Sequence, residues 1–231
     1  MIRIPGGLLV AVEGIDGAGK TSVATLLAQF CGERGIGCVL SKEPTGLRWG
    51  TELRRSASEG RLTLERELEL FELDRQDHVQ RSILPGLKEG NVVILDRYYW
   101  SSAAYQGSRG ADFNSIIAKN ESFAPRPNLT ILLDIDTQTG INRILNRGDK
   151  PNLFETKDSL EKAREIFSNL SKMNPDTSKI DSSVSLREVQ SQVLSIFVKC
   201  FTQKLAESQE MNPQMINTVL ALLGGDLIRS V

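Results

Sequence analysis

A chain of 231 residues with 40% hydrophobic side chains can bury one α/β core, and a formal net charge of −1 leaves any basic patch local. That balance excludes a global electrostatic draw toward nucleic acid or an anionic membrane. Three cysteines without a C-x-x-C spacing read as free thiols in a reducing cytoplasm; the single histidine, His78, excludes a His-rich metal site and a Ser-His-Asp triad, and reads as structural or exposed.

Residues 8–12 are a continuous apolar run, too short for a signal or spanning segment and suited to a strand buried on both faces. Ala24, Leu27, Ala28 and Cys31 keep helical spacing, which predicts a helix from about 20 to 33, closed by Gly35 and Gly37. A short strand follows at 38–40. The spacing of Leu64, Leu68, Phe71, Val79, Ile83 and Leu87 predicts one long helix over 65–88, bent or shortened by Pro85. Strands are expected at 92–95 and 129–133 and, more weakly, at 178–181. Helices are expected at 137–146, 159–173 and 186–205. This alternation predicts an α/β, three-layer fold with a five-stranded parallel sheet, helices on both faces and right-handed crossovers. The expected organisation is one domain over 1–207 and a helical tail over 208–231 that packs on its own core or meets a partner subunit.

The first strand runs into Gly14-Ile15-Asp16-Gly17-Ala18-Gly19-Lys20-Thr21, a match to G-x-x-x-x-G-K-[ST]. Glycines let successive backbone N–H groups turn inward around phosphates. Lys20 is placed to reach the β- and γ-phosphates, and the Thr21 hydroxyl to ligate Mg²⁺. The helix N-terminus behind them favours anions. The third strand ends in Asp96-Arg97, which sets a second oxygen ligand beside the metal and a guanidinium beside the phosphates. A GTP switch needs Asp-x-x-Gly here, whereas Tyr98 and Tyr99 follow Arg97; Asn146-Arg147-Gly148-Asp149 follows a predicted helix rather than a strand. A partitioning ATPase often carries a second lysine early in the loop, and none of residues 15–18 is lysine. Phosphoryl transfer between two anions needs cationic clamps, which favours a phosphotransferase.

The run Asp96-Arg97-Tyr98-Tyr99-Trp100-Ser101-Ser102-Ala103-Ala104-Tyr105-Gln106-Gly107 resembles the thymidylate kinase signature D-R-[YF]-x-x-S-x-x-A-Y-Q. Val12 to Thr21 is similar to that family's phosphate loop. Lys42-Glu43-Pro44-Thr45-Gly46 resembles its R-E-P-G-G turn, with Lys42 and Thr45 as departures. Phe71 and Arg75 match its F-x-x-x-R and, four apart, share one helix face. The resemblance covers about 8–205.

It implies a dTMP kinase using ATP and Mg²⁺, held by Thr21 and Asp96, in a cytoplasmic homodimer with no nucleic-acid or membrane partner. Phe71 would stack on thymine. Arg75, a donor only, would suit a base carbonyl better than an amino group. Ser102 and Gln106 would line the base edge. Tyr105 would fill space near the sugar, and Asp16 would sit by the acceptor sugar and the metal. Arg97, with Arg54, would bind the acceptor phosphate, and Arg143 would stack on adenine. The family places a catalytic arginine in the phosphate loop or in a lid. The loop position is Gly17, so a lid at about 147–157 is implicated; Leu153 stands there where such lids often carry arginine, leaving Arg147 and Lys150. Two alternatives stay open: a kinase for another deoxynucleoside monophosphate, and a nucleotide-binding protein without turnover.

Overall fold

The computed structural model describes residues 1–146 and 156–207. Its centre is a five-stranded parallel sheet in the order β2-β3-β1-β4-β5, formed by β1 (Leu8–Glu13), β2 (Cys38–Lys42), β3 (Val92–Asp96), β4 (Leu129–Asp134) and β5 (Thr177–Asp181). Every residue of β1 and β3 is buried, as expected of central parallel strands. Register pairs Val12 with Asp96, so the phosphate loop after β1 and the carboxylate ending β3 emerge side by side. Successive strands go first to one side of β1 and then to the other, and such a reversal opens a crevice beyond the strands' C-terminal ends.

The helices are α1 (Lys20–Glu33), α2 (Arg48–Glu59), α3 (Leu64–His78), α4 (Leu84–Lys88), α5 (Tyr99–Gly107), α6 (Phe113–Glu121), α7 (Thr137–Asn146), α8 (Lys157–Met173) and α9 (Leu186–Glu207). One helical layer pairs α1 with α9, where the rings of Phe30 and Phe197 meet edge to face at 5.9 Å. The other packs α5 against α3, α6 and α8.

The strands and the helices at 20–33 and 137–146 lie where periodicity places them. The expected long helix over 65–88 is instead broken. A π turn, Val79–Ile83, separates α3 from α4, and the Leu84 N–H reaches back to the Val79 carbonyl. Pro85 has no N–H to continue the α ladder, so the backbone widens before it. Three helices, α2, α5 and α6, are absent from the sequence expectation. Eight of the nine residues of α5 are buried, so it has no polar face to give it a period. The 208–231 tail and nearly all of the expected lid lie outside the described residues.

Candidate active site

The phosphate loop is shaped by where its glycines go. Gly17 has φ 82°, and a Cβ there would collide with the backbone carbonyl of Gly140 on α7. Glycine is therefore required at position 17 twice over, by conformation and by space. An arginine cannot be accommodated there without moving α7, which is the physical reason to seek the family's arginine elsewhere. The lid candidates Arg147 and Lys150, with Leu153, lie outside the described residues.

Lys20 is buried on the first turn of α1 and donates to the Ile15 carbonyl at 2.7 Å, curling over the loop. Burial and the nearby Arg97 guanidinium bring its pKa down to about 8. The Thr21 hydroxyl donates to Asp96 Oδ2 at 2.6 Å, so the two residues expected at the metal are in direct contact. A hydroxyl and a carboxylate at the mouth of a phosphate loop are the hard oxygen donors Mg²⁺ takes, with phosphates and water completing the shell. Among the described residues no cluster of three or more His, Cys, Asp or Glu side chains forms a protein-only metal cage.

Asp16 links this donor side to a second cleft. Its carboxylate pairs with Arg97, accepts from the Tyr105 hydroxyl at 2.6 Å and lies 3.9 Å from Lys20 Nζ. Burial alone would favour the neutral acid, but Arg97 and Lys20 outweigh it and lower the Asp16 pKa. Arg97 is the one non-glycine residue with positive φ, 72°, among those described; this turns its side chain out of β3 toward Asp16. Its Nη1 also lies 3.4 Å from Ser101 Oγ.

The turn that holds Arg97 is secured from below by Glu13. This carboxylate, fully buried at the end of β1, accepts from the Tyr98 N–H at 2.9 Å, the Ser101 N–H at 3.2 Å and the Ser101 hydroxyl at 2.6 Å. It thus caps α5, whose own N-cap residue supplies no side-chain bond. Burial pushes the Glu13 pKa up to about 7, against the Ser101 hydrogen bond that favours the anion.

The second cleft is lined by Phe71, Arg75, Arg54, Arg97, Ser102, Tyr105 and Gln106, which draws together all the residues expected for the acceptor. Arg75 is buried and heavily engaged. Its Nε and Nη2 donate to Glu43 Oε2 at 2.9 and 2.6 Å, Nη1 to Asn120 at 2.6 Å and Nη2 to Ser102 at 3.0 Å. These four bonds fix the guanidinium plane and, among the described residues, leave one of its five N–H groups without an acceptor. His78 is structural: its ring bridges Glu43 at 3.0 Å and Ser41 at 2.8 Å. Arg54 donates to the Pro44 carbonyl at 2.8 Å on the rim. The departure at Thr45 also has a local reason, since its N–H and hydroxyl both bond Asp74, at 2.7 and 2.5 Å, tying the turn after β2 to α3.

A third hollow, beside Gly17 to Gly19, is lined by Arg143, Val184, Leu186 and Val189. Arg143 Nη2 donates to the Ser182 carbonyl at 2.8 Å and Nη1 lies 3.5 Å from the Gly17 carbonyl, which seats it next to the donor loop. Glu43, Asn120 and Glu13 were missed as site residues. The available signal for Glu13 was a carboxylate closing an otherwise wholly apolar strand, since a buried charge demands partners.

A family model described as thymidylate kinase matches residues 12–193. The chain belongs to the thymidylate kinase family. It is 48% identical over 201 residues, 87% of each chain, to a thymidylate kinase of Xanthomonas campestris pv. campestris (strain B100). It is 46% identical over 221 residues, 96% of each chain, to one from Xanthomonas euvesicatoria pv. vesicatoria (strain 85-10). With one from Xylella fastidiosa (strain M12) it shares 43% identity over 202 residues, 87% of this chain and 92% of the relative. The match spans both the phosphate loop and the cleft lined by Phe71 and Arg75, and family membership agrees with a parallel, three-layer kinase fold. Among the described residues no helix is long and apolar enough to cross a membrane.

Proposed function

We propose that the chain transfers the γ-phosphoryl group of ATP to dTMP, giving ADP and dTDP. The observation that carries this reading is the Asp16–Arg97–Tyr105 bridge, which joins a phosphate-donor loop to a cleft containing Phe71 and the fixed guanidinium of Arg75. The backbone N–H groups of residues 14–19 and the Lys20 ammonium hold the donor phosphates, and Arg143 borders the nucleoside side. Phe71 faces the thymine ring, Arg75 gives its remaining N–H to a base carbonyl, and Ser102 and Gln106 line the edge. Arg97, with Arg54, takes the acceptor phosphate.

An oxygen of the dTMP phosphate attacks the γ-phosphorus as the bond to the β–γ bridging oxygen breaks, and ADP leaves. That attacking oxygen is already anionic near neutral pH, so no side-chain base is needed. The chain's part is alignment of two anions and neutralisation of the charge that builds between them by Lys20 and Arg97. Thr21 and Asp96 would hold Mg²⁺, which when bound supplies further charge neutralisation on the donor phosphates. Arg147 or Lys150 would add the lid's positive charge. A two-copy assembly, a cytoplasmic location and a 208–231 segment apart from the kinase domain complete this reading.

The deciding experiment is ADP release from ATP–Mg²⁺ against dTMP, dUMP, dGMP, dCMP, UMP and CMP, with Lys20→Ala as the blank. The expected result is strong turnover with dTMP, weaker with dUMP and little with the rest. Preference for another monophosphate overturns the base assignment and keeps the chemistry. ATP binding without turnover of any monophosphate overturns the kinase reading and leaves a nucleotide-binding protein.

A further inference from the structure

Gln106 is wholly buried at the wall of the acceptor cleft, and its Oε1 has no hydrogen-bond partner among the described residues. A buried acceptor without a partner is rare in proteins and points to a ligand. Its Nε2 is not in that position: it donates to Glu67 Oε2 at 3.3 Å. Glu67, on the first turn of α3 and also wholly buried, is clamped by two guanidinium groups. Arg61 Nε meets Oε1 at 3.0 Å, and Arg109 Nη1 meets Oε2 at 2.6 Å.

A carboxylate can only accept hydrogen bonds. Rotating the Gln106 amide by half a turn would set its carbonyl oxygen against the Glu67 oxygens in a dry site, where repulsion is strong. Glu67 therefore allows one amide orientation, with –NH₂ toward Glu67 and Oε1 as the buried, unpartnered acceptor of the cleft wall among the described residues. Across the same cleft Arg75 is donor only. The wall thus reads donor on Arg75 and acceptor on Gln106. Thymine and uracil match it with a carbonyl next to a ring N–H. Cytosine offers an amino group next to a bare ring nitrogen and opposes both.

We propose that Glu67 is a positioning residue for base selection, which fixes the Gln106 amide so that Oε1 accepts the ring N–H of a thymine-type base. This rests on reading the cleft as the dTMP site. Glu67 touches no substrate; it acts through Gln106.

The test is kcat/KM for dTMP and for dCMP in wild type, Glu67→Gln and Gln106→Met. Loss of folded protein scales both substrates equally, so their ratio is blind to merely structural damage. Each variant is expected to cut the dTMP-to-dCMP ratio at least about tenfold, the scale of one lost polar discrimination in a buried site, mainly through KM for dTMP. Glu67→Asp, which keeps the charge between Arg61 and Arg109 but draws it back from Gln106, gives the same readout if Glu67→Gln does not fold. A ratio unchanged in the Glu67 variants but lowered in Gln106→Met overturns the role of Glu67 and leaves Gln106 at the base. A ratio lowered only in the Glu67 variants overturns the route through Gln106. Unchanged ratios in all variants overturn both, and a wild type that prefers dCMP overturns the underlying dTMP reading.

Discussion

Glu13 is a residue whose charge is held at a cost. Its ordinary pKa of 4.5 rises to about 7 on burial, so between those values the folded chain binds a proton that the unfolded chain has released. Stability from this group therefore falls as pH rises from about 4.5 to about 7 and is flat outside that window, a total of about 3 kcal/mol. Glu13→Gln has no such titration. The stability difference between wild type and variant, measured by urea unfolding across pH 4.5 to 7.5, should move in the variant's favour by that order as pH rises. Parallel pH profiles would show that Glu13 titrates normally. Loop spacing pointed to Lys20 and Thr21, and the family resemblance to Phe71 and Arg75, because one loop or one helix turn keeps each pair together in the sequence. The sequence was silent on Glu43 and Asn120 as partners of Arg75, 32 and 45 positions away, since only the assembled fold brings them to the guanidinium.

Among the elements, α7 and the phosphate loop meet backbone to backbone. A Cβ on Gly140 would lie 2.8 Å from the Asp16 carbonyl oxygen, and one on Gly17 would strike Gly140 in return. Neither contact has a flexible side chain that can give way, so Gly140→Ala must push the loop or the helix aside. The expected outcome is a rise of about tenfold or more in the Kd of a non-hydrolysable ATP analogue, following loss of aligned phosphate contacts. Melting temperature should change far less than binding. An unchanged Kd in a calorimetric titration would show that α7 yields freely. The helices are also where sequence reading was weakest. The pattern 64–87 kept helical spacing through a π turn, because a π turn preserves the buried side of Val79 and Ile83 while changing the hydrogen-bond ladder. Buried at eight of its nine positions, α5 offered no alternation to read, although its signature residues were visible as a motif.

At the scale of the whole molecule, two ligand clefts share the C-terminal edge of one sheet, and each should stabilise the fold by itself. A ligand at a hundred times its Kd adds about 2.7 kcal/mol, which for a chain of this size corresponds to about 5 to 11 °C in melting temperature. Differential scanning with dTMP alone, and with the non-hydrolysable analogue and Mg²⁺ alone, should show shifts of that order. Lys20→Ala should reduce the second and keep the first. A dTMP shift that vanishes with Lys20→Ala would mean that the acceptor cleft does not exist independently of the donor loop. The left-handed backbone of Arg97 has a consequence for how this protein could be improved. A side chain there costs about 1 kcal/mol or more in conformational strain, which glycine would not incur. Arg97→Gly should accordingly melt higher than Arg97→Ala while both lose phosphoryl transfer. Directed evolution that rewarded heat resistance alone would be drawn to glycine at that position and would arrive at a hardier protein with no catalyst in it.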